Sequence, residues 1–124
     1  MAASLDHLAP CPSSPNCVSS AATDEAHHVA PLAYSGAPAA AMQRLRAVIA
    51  AMPRATVVTA NDTALHAEFR SRLFRFVDDV DCVVDPATGV IQIRSASRVG
   101  YSDLGVNRQR VEAIRAAFAA QAAG

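Results

Sequence analysis

Apolar residues recur along this chain with two different periods, and the change of period marks out its elements. Met42, Leu45, Ile49 and Met52 fall at spacings of three and four, one stripe of a helix. Ser35-Gly36-Ala37-Pro38 opens that helix, because proline is tolerated in a first turn, and Pro53 stops it. Past Pro53 the period shortens to two. Residues 54–60 are rich in β-branched side chains and end at an Asn61-Asp62 turn. Over residues 64–70, Leu65, Ala67 and Phe69 share one face of a strand while His66, Glu68 and Arg70 share the other. Residues 80–85 and 90–95 read as a hairpin closed by Pro86-Ala87-Thr88-Gly89. Residues 73–78 fit a strand, a bulge or a short helical turn. A last helix runs from about Asn107, a good N-cap residue, to Gln121, with Val111, Ile114 and Phe118 inward. Arg108, Glu112 and Arg115 predict an exposed ladder of charge on its outer side.

The hairpin permits a register. If Asp85 pairs with Val90, Val84 faces Ile91, Cys82 faces Ile93 and Asp81 faces Arg94. The first two pairs belong to the core and the third to the opposite face, so Cys82 becomes a small buried hydrophobe. The order helix, strands, helix predicts an α+β fold, a small antiparallel sheet of about four strands with two helices packed on one face. Before it, residues 1–37 hold Pro10, Pro12, Pro15 and Pro31 among Ser, Asn and Asp, the composition of an irregular Pro/Ser-rich arm. Val29, Leu32 and Tyr34 give that arm apolar groups to lay against a core. The expected organisation is one domain, an arm over 1–37 and an α+β core over 38–121.

Composition narrows the function classes. Eleven arginines and no lysine balance 11 acidic residues, so the basic excess of a nonspecific nucleic-acid binder is missing. No run approaches the roughly 18 apolar residues of a membrane span. Residues 1–10 lack the basic and apolar regions of a signal peptide, and Leu8-Ala9-Pro10-Cys11 resembles a lipoprotein cleavage site without the apolar run before it. The expectation is a soluble cytoplasmic protein, an envelope or exported location following only if a leader has been removed.

Three features carry chemistry. Cys11-Pro-Ser-Ser-Pro-Asn-Cys17 sets two cysteines six positions apart in a proline-braced loop. That pair fits a redox disulfide, a thiol nucleophile, a fragment of a metal site with His27 or His28, or two thiols packed under the arm. The spacing is outside the two to four residues usual for paired zinc ligands. Asp24, His27 and His28 cluster in a loop, and His66 sits on the polar sheet face, but the spacings specify no further ligand, and neither a metal nor another cofactor is expected. The third feature is the polar run over 94–108, from a strand end to a helix N-terminus. Orphan amides and the helix dipole favour an anion there, and Arg94, Arg98 and Arg108 can add forked bonds to a carboxylate or phosphate. Tyr101 flanks the run, and Asp103 and Asn107 lie within it. The same arginines could equally be locked by Asp78, Asp79, Asp81 and Asp103 in a structural network.

CPSSPNCVSS, HVAPL, FVDDVD and RSASRVGYSDLGVNRQRVEAIR together resemble a widespread bacterial and plastid family, domain of unknown function 1499. The likeness runs from about Pro10 to Phe118. It implies that the cysteine arm, the Asp78-Asp79 pair and the 94–108 run belong to one domain, and hence that they converge at the rim of the sheet. The function expected is a non-catalytic binding module that takes a small anionic ligand, or the carboxylate of a protein partner, on Arg94, Arg98, Tyr101, Asp103, Asn107 and Arg108. One alternative is a thiol-dependent enzyme or redox protein, with Cys17 as nucleophile, His28 as base, Asp78 or Asp79 as orienting carboxylate, and Cys11 as redox partner. The other is an assembly factor that binds protein through the arm and the Ala-rich helix faces.

Overall fold

Two helices cover one face of a six-stranded sheet in a computed structural model that describes residues 8–72 and 76–123. In chain order the elements are β1 (Cys17–Ser19), β2 (Leu32–Ala33), α1 (Pro38–Ala50), β3 (Ala55–Ala60), β4 (Ala64–Arg70), β5 (Val77–Asp85), β6 (Val90–Ser97) and α2 (Val106–Ala123). The sheet runs β1-β6-β5-β4-β3, with β2 also pairing β6, and every strand pair is antiparallel. The fold is α+β, but the sheet has six strands where about four were expected. The extra two come from the arm, whose Cys17 pairs with Ala96 and whose Leu32 pairs with Ile91. Three-residue and two-residue strands leave no periodicity to read, and β6 recruits them because it would otherwise be an open edge. The uncertain stretch over 73–78 contributes β5 from Val77; residues 73–75 lie outside the described part.

The hairpin register is Val84↔Ile91, Cys82↔Ile93 and Asp81↔Arg94, as the pairing of Asp85 with Val90 requires. Gly89 closes the turn at a φ of 70°, in the left-handed region that favours glycine, and its amide bonds the Asp85 carbonyl at 3.0 Å. The helix-covered face gathers Leu65, Ala67, Phe69, Val80, Cys82, Ile91 and Ile93 against Met42, Leu45 and Ile49 of α1 and Val111, Ile114 and Phe118 of α2. Val18, Val29 and Leu32 of the arm join the same cluster, with Tyr34 packed against it. Met52, placed on the α1 stripe by its spacing, lies beyond the end of the helix and packs only partly on the core.

One expectation about α2 changes. Asn107 is not its N-cap: it lies inside the first turn, wholly buried, and Asp103 takes the capping role by accepting the Gly105 and Asn107 amides at 2.8 and 3.0 Å. The charge ladder is exposed as expected, with Glu112 paired to Arg115, and its two arginines also reach the arm. Arg108 donates to the carbonyls of His28 and Ala26, and Arg115 to those of Pro31 and Ala30 as well as to Glu112. These two guanidiniums clasp the arm onto α2. No helix among the described residues is long and apolar enough to cross a membrane.

Candidate functional site

The arm, the Asp78-Asp79 pair and the 94–108 run meet at one end of the sheet, and alternation along β5 and β6 divides their side chains into three places. The first is the sheet face that the helices leave open. His66, Glu68, Asp79, Asp81, Arg94 and Arg98 stand there. Arg98 bonds Asp79 through Nε at 2.7 Å and Glu68 through Nη2 at 2.7 Å, which strengthens its hold on its proton. Burial works against ionisation of Asp79, yet Arg98, His66 and Arg94 outweigh it and hold that carboxyl below its usual value. Asp81 lies 2.7 Å from His66 Nδ1, and Asp79 lies 3.3 Å from His66 Nε2. His66, Glu68 and Asp79 could offer a metal one ligand atom each, all within 4.8 Å of one another. Arg98 fills that space, so an entering ion would have to displace it. The Pro10 carbonyl of the arm reaches Arg94 Nη2 at 3.3 Å, while Arg94 Nε is buried without a partner among the described residues.

The second place lies between sheet and α2, where the alternation sends Ser95 and Ser97. Asn107 is its hub. Its Oδ1 accepts from Ser95 Oγ at 2.6 Å and from Arg110 at 2.9 Å. Its Nδ2 lies 2.9 Å from Ser97 Oγ, 2.7 Å from Asp103 Oδ2 and 3.2 Å from the Asn16 carbonyl. Arg110 bridges to Asp78 at 2.8 Å and stacks over Phe69, 4.9 Å from the ring centroid. Burial opposes ionisation of Asp103, but the Asn107 and Gly105 donors prevail and keep its carboxyl low. The helix N-terminus that sequence offers to an external anion is therefore already met by an internal one. Asp78, named as an orienting carboxylate, is an ion-pair partner of α2.

The third place is solvent-facing. The 98–106 segment crosses the sheet end, and its Val99, Gly100, Ser102, Asp103, Leu104 and Val106 wall a groove of about 870 Å³ with Ser71, Arg72, Phe76, Asp78 and Ser97. Its apolar side chains are unusually exposed: Phe76 by 53%, Val99 by 55%, Leu104 by 89% and Val106 by 42%. Leu104 holds a φ of 55°, a left-handed conformation costly for a bulky residue, while Asp103 Oδ1 takes the next amide and fixes the turn. The loop thus spends backbone strain to present a leucine. Tyr101 beside it is also exposed. Asp78 and Asp103 on the groove rim are neutralised by Arg110 and the helix donors, whereas Arg72 has no ion pair or hydrogen bond with a described residue.

The cysteine motif forms a disulfide, Cys11–Cys17, so neither cysteine is a packed thiol and Cys17 holds no thiolate. The loop histidine with partners is His27, which bonds Asp24 through Nδ1 and the Ser14 carbonyl through Nε2; His28 is exposed. The acceptors at Ser14 and Asp24 raise the His27 pKa, and His27 in turn lowers that of Asp24. Arg72, Phe76, Val99, Leu104, Val106, Arg110 and Asn16 were not singled out by sequence. For Val99, Leu104 and Val106 a signal existed, apolar side chains isolated within the polar 94–108 run; for Arg72 and Phe76 there was none.

No curated protein matches the sequence. A family model described as a protein of unknown function (DUF1499) matches residues 7–118, spanning the cysteine ring, the charged face, the Asn107 hub and the groove loop. The chain belongs to that family.

Proposed function

We propose that this domain is a non-catalytic binding module whose 94–108 loop takes an amphiphilic anion, an apolar chain or side chain that ends in a carboxylate or comparable charge. One observation carries the reading: an open groove walled by Val99, Leu104, Val106 and Phe76, and lined too by Arg72, whose guanidinium has no ion pair or hydrogen bond among the described residues. Apolar walls supply affinity through area removed from water, and a single cation fixes the orientation of the bound molecule. Arg94, Arg98 and Arg108 support the reading indirectly, since they anchor both ends of the loop rather than reach into the groove. Asp103 and Asn107 shape the turn that projects Leu104.

Calorimetric titration with dodecanoate, kept below its micelle concentration, tests this against dodecanol as a neutral control. Val99→Asp removes binding of both. Arg72→Gln weakens dodecanoate by about three- to tenfold, the worth of a solvent-exposed charge-assisted bond, and leaves the alcohol unchanged. Equal binding by wild type and Val99→Asp overturns the reading.

A further inference from the structure

The Cys11–Cys17 ring takes no part in forming the groove, yet one residue joins the two. Asn16, next to Cys17, is buried. Its Oδ1 accepts from Ser14 Oγ inside the disulfide ring at 2.8 Å, and its Nδ2 donates to the Gly100 carbonyl at 2.6 Å. Its own carbonyl accepts the Ser97 amide at 3.0 Å. Ser97, Val99 and Gly100 are groove wall. Across residues 99–102, the Gly100 carbonyl is the single atom that hydrogen-bonds to a segment outside the loop, among the described residues. The middle of the wall therefore hangs on Asn16. The position of Asn16 is set by β1 and the Asn107 amide on one side and by the disulfide ring on the other.

We infer that the Cys11–Cys17 disulfide is a redox switch on the groove: the closed ring holds Asn16 and the Gly100 wall in the binding arrangement, and reduction releases them. The inference rests on the groove reading above and adds its regulation. Cys17 is wholly buried and Cys11 only partly, so an incoming thiolate attacks Cys11 Sγ. A mixed disulfide forms there as the Cys11–Cys17 bond breaks, and Cys17 Sγ leaves with the electron pair and takes a proton. The second thiol of a dithiol reductant then displaces Cys11 Sγ, which is protonated in turn. Two electrons and two protons pass to the protein, and the dithiol ends as its own disulfide. Cys82 cannot intercept the exchange, because it is buried in the core, where desolvation pushes its thiol pKa up.

The test is dodecanoate titration of the whole chain, oxidised and then reduced by dithiothreitol, with amide NMR spectra recorded in both states. Reduction weakens binding at least threefold, up to a ceiling of about thirtyfold set by the closure entropy of so short a ring. Cys11→Ser gives the reduced affinity with or without dithiothreitol. Asn16→Ala weakens the oxidised form and removes its response to reductant. Amide shifts of residues 97–104 move on reduction while those of α1 stay. If oxidised protein binds at the groove, by the Val99→Asp criterion, and reduction leaves affinity unchanged, the switch is refuted and the groove stands. If reduction shifts α1 as much as the loop, the local coupling is refuted. Absence of groove binding in the oxidised form overturns the binding reading, and the switch with it.

Discussion

Asn107→Asp is the sharpest probe of the network that builds the loop, because it swaps an amide for a nearly isosteric carboxylate and opens no cavity. The residue is fully buried. The change deletes the Nδ2 donor that serves Ser97 Oγ at 2.9 Å and Asp103 Oδ2 at 2.7 Å. Each lost buried bond is worth about 1 kcal/mol. The larger effect is electrostatic: the new carboxylate faces that of Asp103, a like-charge pair worth up to about 4 kcal/mol near 4 Å at intermediate dielectric. Arg110, 2.9 Å from Asn107 Oδ1 and shared with Asp78, offsets part of this. The net expectation is a loss of about 3–5 kcal/mol, the range typical of breaking a buried polar pair. Urea unfolding followed by far-ultraviolet circular dichroism reads it as a lower midpoint at unchanged slope. A loss under about 1 kcal/mol would show that the hub does not hold the loop, and the loop geometry derived above would fail with it.

Three further outcomes follow from named contacts. Leu104→Gly relieves a left-handed backbone at a side chain 89% exposed, so thermal stability holds or rises by up to about 1 kcal/mol while dodecanoate affinity falls; lowered stability would contradict the strain. Cys11→Ser lowers unfolding free energy under non-reducing conditions by about 2 kcal/mol, from the lost closure of a six-residue span, and an unchanged midpoint would contradict it. His27, flanked by Asp24, the Ser14 carbonyl and Arg108, has its pKa raised above 6.5, so its contribution is complete below that pH and is lost as pH climbs through the raised value. Amide-exchange protection at Ser19, whose N–H bonds the His27 carbonyl at 2.8 Å, should fall across that interval in wild type and stay level in His27→Gln.

Periodic residues announced themselves. Leu65, Ala67 and Phe69, or Val111, Ile114 and Phe118, repeat at the spacing of their element, and alternation with one assumed pair set the whole β5–β6 register. The arm strands did not, because pairing over two or three residues depends on β6 being open rather than on anything local in Cys17–Ser19 or Leu32–Ala33. The charged face was half legible. Asp81 opposite Arg94 follows from register, whereas Arg98 bonding Glu68 crosses strands thirty positions apart in sequence. Asn107 looked like a cap because Asn often caps, but the helix starts earlier, and Asp103, four residues before it, accepts the Gly105 and Asn107 amides at that start. Groove residues were the least legible. An exposed Val99 or Leu104 lies on no stripe, and only the path of the loop brings them beside Phe76 and Arg72.

The central claim is that the 94–108 loop builds a binding groove for an amphiphilic anion. Titration of oxidised, isotope-labelled protein with dodecanoate, read residue by residue from amide shifts, tests it most directly. The account predicts saturable shifts confined to Ser71, Arg72, Phe76 and residues 97–106, lost in Val99→Asp. Saturable shifts centred on the face of His66, Asp81 and Arg94, or no saturable shift at all, would contradict it.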